Sequence, residues 1–219
     1  MRSVQTHLGV KLKNMQRFVV HPENPQPRQL KQVAQILMQG GVVAIPTDSS
    51  YALVCHLDDK AAADRLRKIR GVDDKHHLTV LCADLPEIAQ FSKVDNAQHR
   101  LLKQLTPGPY TFILEATKEV PRRVSHPSRK TIGIRVPDHP VTTTLLSEFE
   151  APVLSTTLIP AGQIDALNDP DQIEALYQGI IDGFVDAGPC PREPTTVIDL
   201  TGSQPVLMRL GRGSVEGLF

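Results

Sequence analysis

A short run of mostly β-branched residues, Val42-Val43-Ala44-Ile45, follows Gly40-Gly41, stops at Pro46, and opens into Thr47, Asp48, Ser49, Ser50 and Tyr51. An almost unbroken apolar run suits a strand covered on both faces, and proline cannot donate to a ladder, so pairing is expected to end at Pro46. Hydroxyls, a carboxylate and a phenol then stand where open α/β sheets place ligands, at the carboxyl end of a strand. An Asx or Ser/Thr turn after an ordinary strand accounts for the same residues equally well.

The rest of the chain alternates in kind. Leu30, Val33, Ala34, Leu37 and Met38 recur at helical offsets over 29–39, and the glycine pair closes that helix. Asp58 or Asp59 can cap a second helix with Ala62, Leu66 and Ile69 as its buried stripe, ending at Gly71. Short apolar runs predict strands over 78–82, 111–116, 131–136, 152–156, 181–186, 197–200 and around 206–210. Helices are predicted over 86–91, 97–105, 141–149 and 170–176. Interleaved strands and helices argue for an α+β (mixed α/β) chain, with helices flanking one sheet in which both strand directions are possible. No linker composition or internal repeat divides its 219 residues.

Composition narrows the function classes. No apolar run approaches the ~18 residues of a membrane span, and residues 1–16 carry neither an apolar core nor a cleavage site. No membrane partner and a cytoplasmic location are therefore expected. Three cysteines, Cys55, Cys82 and Cys190, are too few and too widely spaced for a disulfide framework or a zinc site, so they are expected to be reduced and structural, with no metal site. Lysine plus arginine and aspartate plus glutamate both number 24, which excludes a uniformly basic nucleic-acid binder. Cations nevertheless gather over 60–75 and 118–135 while 165–199 is acidic, a division that gives either one positive face or merely solvated loops. His76-His77, as neighbours on a strand, would point to opposite faces and make a poor pair of ligands. Aromatic residues make up 4% of the chain, so RNA binding through 118–130 would be driven by backbone phosphates rather than base stacking.

Four junctions end strands in hydroxyls or cations: Pro46-Thr47-Asp48-Ser49-Ser50-Tyr51, Gly133-Ile134-Arg135-Val136-Pro137, Leu154-Ser155-Thr156-Thr157 and Pro194-Thr195-Thr196-Val197-Ile198-Asp199. With Lys68-Ile69-Arg70 and Pro107-Gly108-Pro109-Tyr110-Thr111, in this order, they resemble the YrdC/YciO family. Phe18-Val19-Val20-His21-Pro22-Glu23-Asn24-Pro25 and Lys118-Glu119-Val120-Pro121-Arg122-Arg123 are most similar to its YciO branch. The resemblance implies a YrdC-like fold, a large twisted mixed sheet around a basic concave cavity, as a single domain over 15–219 behind an extension over 1–14. It implies threonylcarbamoyl-AMP synthase chemistry: L-threonine, bicarbonate and ATP condense with release of pyrophosphate, for transfer RNA modification. ATP is a substrate, with magnesium expected alongside its phosphates.

By the same resemblance Lys68 and Arg70 are catalytic and bind ATP. Thr47, Ser49, Tyr51, Arg135, Ser155 and Thr157 bind the amino-acid substrate. Ser155, Thr195 and Arg209 also reach ATP, and Arg122, Arg123, Arg129 and Lys130 form a rim for transfer RNA or double-stranded RNA. The sequence departs from the family's motifs at Asp48, Ala52, Gly71, Leu158 and Ile159. A binding module for RNA with weak or absent synthase activity is the alternative.

Overall fold

The computed structural model describes residues 14–73, 76–121 and 130–218. In chain order the elements are β1 (Gln16–Val19), α1 (Pro27–Met38), β2 (Val43–Ile45), β3 (Ala52–His56), α2 (Lys60–Arg70), β4 (Thr79–Leu81), α3 (Leu85–Phe91), β5 (Ser92–Lys93) and α4 (Asn96–Leu105). There follow β6 (Tyr110–Ala116), β7 (Thr131–Arg135), α5 (Pro140–Phe149), β8 (Val153–Thr157), α6 (Pro170–Tyr177), β9 (Gly183–Asp186), β10 (Thr196–Asp199) and β11 (Val206–Arg209). Among the described residues these strands form one 11-stranded mixed sheet in the order β1-β9-β2-β3-β8-β4-β7-β6-β10-β11, with β5 on β6. The expected mixed α/β architecture is the one observed.

Local chemistry sets the element ends. Asp59, Asp84, Asp95 and Asp169 each cap a helix by accepting from a backbone N–H inside its first turn. α2 stops at Gly71, which adopts the left-handed conformation at φ 71°, open to glycine at little cost. β2 ends at Ile45, just before Pro46.

The strand β3 escaped the sequence reading. It pairs antiparallel with β2, Ile45 opposite Ala52, so residues 46–51 are a hairpin connection rather than the free end of a strand. The run Ala52-Leu53-Val54-Cys55 is as apolar as the run before Pro46, but no glycine or proline separates it from the polar turn that precedes it.

The two faces of the sheet are covered unequally, and this creates the site. One face packs from β9 to β10 against α2, α3, α4 and α6, through Leu66, Ile88, Leu102 and Ile173 meeting Leu53, Val80, Phe112, Ile134, Leu154, Phe184 and Ile198. The other face is covered only at one end, where Leu30, Val33 and Leu37 of α1 and Val141, Leu145 and Phe149 of α5 lie on Val43, Ile45, Val54, Val153 and Val185. Each such fully buried side chain contributes about 1.5–3 kcal/mol of transfer free energy. No helix of the described residues reaches over β7, β6, β10 and β11 on that second face, and a concave cavity remains there. None of the described helices is long and apolar enough to cross a membrane.

Candidate functional site

Alternation along the strands decides what the open face presents. In β7, Ile132 and Ile134 enter the core while Gly133 and Arg135 face the other way; in β6, Phe112 and Leu114 are core, and Thr111 and Ile113 face the cavity. Register aligns these residues into rows: Gly133 lies opposite Ile113, Thr79 opposite both Gly133 and Ser155, and Val197 opposite both Thr111 and Arg209. A Cβ at Gly133 would lie 3.2 Å from Thr79 Oγ1 and 3.6 Å from Thr111 Cγ2, so glycine here keeps the floor low.

The cavity has two compartments. An outer chamber of about 430 Å³ has Arg70, His76, His77 and Arg209 on its walls and Ile113, Val197 and Ile159 among its apolar surfaces. A small inner recess of about 40 Å³ is lined by Thr47, Ser50, Ser155 and Arg135. Thr79, Thr111, Thr156 and Thr157 border both compartments, so one opens into the other.

Arg135 is the cation of the recess, with 8% of its side chain exposed. Its Nη1 donates to Ser49 Oγ at 3.1 Å and an Nη2 N–H reaches Thr47 Oγ1 at 3.5 Å, while Nη2 also pairs with the carboxylate of Asp48. Burial pulls the guanidinium pKa down and Asp48 opposes that shift, leaving the group cationic. Arg135 Nε and Asp48 Oδ2 are both buried without a hydrogen-bond partner. Thr47 builds the turn: its hydroxyl accepts from the N–H groups of Ser49 and Ser50 at 3.2 Å and donates to Ser50 O. Thr142 of α5 donates to Pro46 O and ties this loop to the helix.

In the chamber, Arg70 Nε is also buried without a partner, and burial lowers the pKa of both Arg70 and Arg209. Arg209 is held by Thr195, its Nε and Nη2 donating to Thr195 O at 3.2 and 2.9 Å. The Thr195 hydroxyl in turn lies 2.9 Å from Thr111 Oγ1. Thr195 is thus a support for Arg209, and it does not line the chamber. His76 is pushed below the usual imidazole pKa by burial first and then by Arg70, His77 and Arg67, with Asp73 opposing. A neutral imidazole in a cationic chamber is a proton acceptor waiting for an anion.

Several expectations need correction. Lys68 is exposed and does not line the chamber, whereas Arg70 does, because residues two apart on a helix are ~200° apart around its axis. Arg67, three positions before Arg70, does not line the chamber but is 6% exposed and close enough to His76 to lower its pKa. A search of the charged helix for a shared face would have found it. Tyr51 is fully buried against Phe184, its hydroxyl donating to Gly188 O at 2.7 Å and accepting from Ala187 N at 3.3 Å. It is an anchor in the core, and its burial raises its pKa. His76 and His77 both line the chamber: they precede β4, so strand alternation does not govern them. Ser155 and Thr157 lie within β8, and Ser155 Oγ donates to Thr79 O at 2.9 Å. Arg122, Arg123 and Arg129 lie outside the described residues, and Lys130 is exposed with φ 53°. The three cysteines are buried and form no disulfide with one another.

Fold and site together define a mixed-sheet protein whose open face holds a cavity with a buried guanidinium at its foot and further arginines at its mouth. The chain belongs to the Sua5/YciO/YrdC family, whose model, described as telomere recombination, matches residues 35–211. It is 46% identical over 199 residues to the uncharacterised protein YciO of Escherichia coli K12, covering 91% of this chain and 97% of that one. It is 31% identical over 171 residues to human threonylcarbamoyl-AMP synthase, covering 75% of this chain and 60% of the human protein. The crystal structure of E. coli YciO superposes with a TM-score of 0.89 at 46% identity, over 92% of this chain and 98% of that one. P. abyssi Sua5 complexed with L-threonine superposes at 0.83 with 25% identity, over 89% of this chain and 57% of Sua5. The fold is thus the YrdC-like fold.

Proposed function

We propose that the cavity is the site of an ATP-dependent nucleotidyltransferase of the threonylcarbamoyl-AMP synthase type. L-threonine would enter the recess with its carboxylate on Arg135, near the hydroxyls of Ser49 and Ser155. The triphosphate of ATP would lie in the chamber against Arg70 and Arg209. The observation that carries this reading is the buried guanidinium of Arg135 at the foot of a hydroxyl-lined recess that opens into a chamber walled by two further arginines.

The chemistry asks little covalent work of the protein. The threonine amine attacks the carbon of bicarbonate and water leaves, giving a carbamate. A carbamate oxygen then attacks the α-phosphorus of ATP, the Pα–O–Pβ bond breaks, and pyrophosphate departs with the electron pair. Catalysis by position and charge suffices: the arginines hold phosphate oxygens, and the recess presents the carbamate to them. Neutral His76 would accept the proton that the L-threonine ammonium group gives up before its amine attacks. Among the described residues no group of three or more His, Cys, Asp or Glu is arranged to hold a metal, so magnesium would arrive with the phosphates.

The test is pyrophosphate release and adenylate formation with L-threonine, bicarbonate and ATP, each omitted in turn. The full mixture should be active, and Arg135→Gln and Arg70→Ala should each lower turnover by about tenfold or more, as expected for a lost charged contact. Product from none of the mixtures, with no binding of ATP or L-threonine by calorimetry, ends this reading.

Ile159 supports a second reading. A hydrocarbon lines the chamber where the family's motif carries an asparagine, and with Ile113 and Val197 it favours retention of a ligand without turnover. In that case the protein binds a nucleotide or RNA and releases no pyrophosphate.

A further inference from the structure

The guanidinium at the foot of the recess already holds a carboxylate, that of Asp48. Both partners are nearly buried, with 8% and 11% of their side chains exposed, and burial is tolerated because each neutralises the other. The pairing is nevertheless incomplete. An arginine and a carboxylate satisfy one another best through two parallel hydrogen bonds, yet here Asp48 Oδ1 meets Nη2 alone, and Asp48 Oδ2 and Arg135 Nε are left buried without partners. The remaining guanidinium contacts go to the neutral hydroxyls of Ser49 and Thr47.

The recess lining includes Arg135 but not Asp48, so a ligand meets the cation and finds the aspartate behind it. Among the described residues, two titratable groups besides Arg135 are close enough to feel the Asp48 charge: His139, the N-cap of α5, which also has Glu23 and Asp138 around it, and Cys190. The His139 ring is neutral by burial, and its Nδ1 accepts from Val141 N at 3.3 Å, which leaves the Nε2 N–H as the donor on its other side.

We propose that Asp48 is an internal competitor for Arg135 and thereby sets which carboxylates the recess accepts. A ligand carboxylate gains the guanidinium only by taking the place of Asp48. Weak or poorly placed anions fail to displace it, and ligands whose remaining groups find the threonine hydroxyls of the recess succeed. This inference rests on the recess being a carboxylate site; it does not require turnover.

The experiment is calorimetric titration of the wild type and Asp48→Asn with L-threonine and with 3-hydroxybutyrate, which keeps the carboxylate and hydroxyl but lacks the amine. Asparagine keeps the shape and removes the charge. Removal of the competitor should tighten both ligands by about tenfold and bring 3-hydroxybutyrate, weak on the wild type, into a measurable range. Equal or weaker binding of both ligands to a folded Asp48→Asn protein overturns the inference. Tighter 3-hydroxybutyrate with no L-threonine binding to either protein upholds it and ends the threonine reading. If the variant fails to fold with Arg135 uncompensated, a crystal structure of the wild type soaked in L-threonine decides the matter. Asp48 turned away from Arg135 with a ligand carboxylate in its place upholds the inference, and an intact pair beside or without bound ligand overturns it.

Discussion

His76 is the residue whose chemistry changes most with what enters the cavity. Burial first, then Arg70, its neighbour His77 and Arg67, favour its neutral form, and among the described residues Asp73 opposes them. A phosphate bound between these cations would reverse that balance and raise the His76 pKa. Ligand binding should then take up a proton in the window between the lowered pKa of the free protein and the raised pKa of the complex, and affinity for phosphate-bearing ligands should strengthen as pH falls through it. Calorimetry of ATP binding in two buffers of different ionisation enthalpy, near pH 6.5, should report net proton uptake, and His76→Gln should abolish it. Equal apparent enthalpies in the two buffers for the wild type would refute the assignment. At this scale the sequence showed the residue types but not their direction. Arg135, Arg70 and Arg209 were readable as site residues and line the cavity. Tyr51 was not distinguishable from a site residue, because burial of its ring against Phe184 and the use of its hydroxyl by Gly188 and Ala187 come from a segment about 137 positions away.

Elements explain how those side chains arrive. α2 delivers Arg70 to the chamber and ends at Gly71, whose missing side chain serves twice. The residue sits at φ 71°, and a Cβ there would approach Ala161 Cβ at 2.9 Å, so the helix end docks closely on the 159–167 loop that also carries Ile159. Gly71→Ala should cost about 1 kcal/mol from the left-handed conformation alone, and more from the contact. Urea unfolding measures that loss, and because the loop moves with the helix end, ATP affinity should fall in the same variant. An unchanged unfolding midpoint would show that the close approach is relaxed in solution. The cap of α2, its end at Gly71, the stop at Pro46 and the amphipathic stripe of α1 were all legible from local sequence, since each depends on residues within a turn of one another. β1, β3 and β5 were not: no breaker sets β3 apart from the polar turn before it, and β1 and the two-residue β5 are strands through their pairing with β9 and β6.

The unequal cover of the sheet is a property of the molecule as a whole. One face is sealed from β9 to β10; the other is sealed by α1 and α5 at one end and open at the other. Stability and binding should therefore separate. Leu37→Ala, under the sealed half, should destabilise the protein by about 2–5 kcal/mol. Ile113→Ala, half-buried on the chamber floor, should cost about 1 kcal/mol or less and instead alter nucleotide affinity. Comparable losses of stability from both would mean that the open half is packed as tightly as the closed one.

Sequence alone determined most of the alternation of strands and helices, the cap of α2, the stops at Pro46 and Gly71, and, through ordered motifs, the family. These are local signals or signals in chain order, and they survive without a third dimension. Tertiary structure decided which charged residues share a cavity and which stay in solvent. Strand register set Thr79, Gly133 and Ile113 in a row, helical phase turned Arg70 inward and Lys68 outward, and pairing of β2 with β3 brought Asp48 onto Arg135. The run from Gly40 to Tyr51 could mark a buried strand and a polar turn. Only the fold could show that the turn hands its carboxylate to an arginine 87 positions further along the chain.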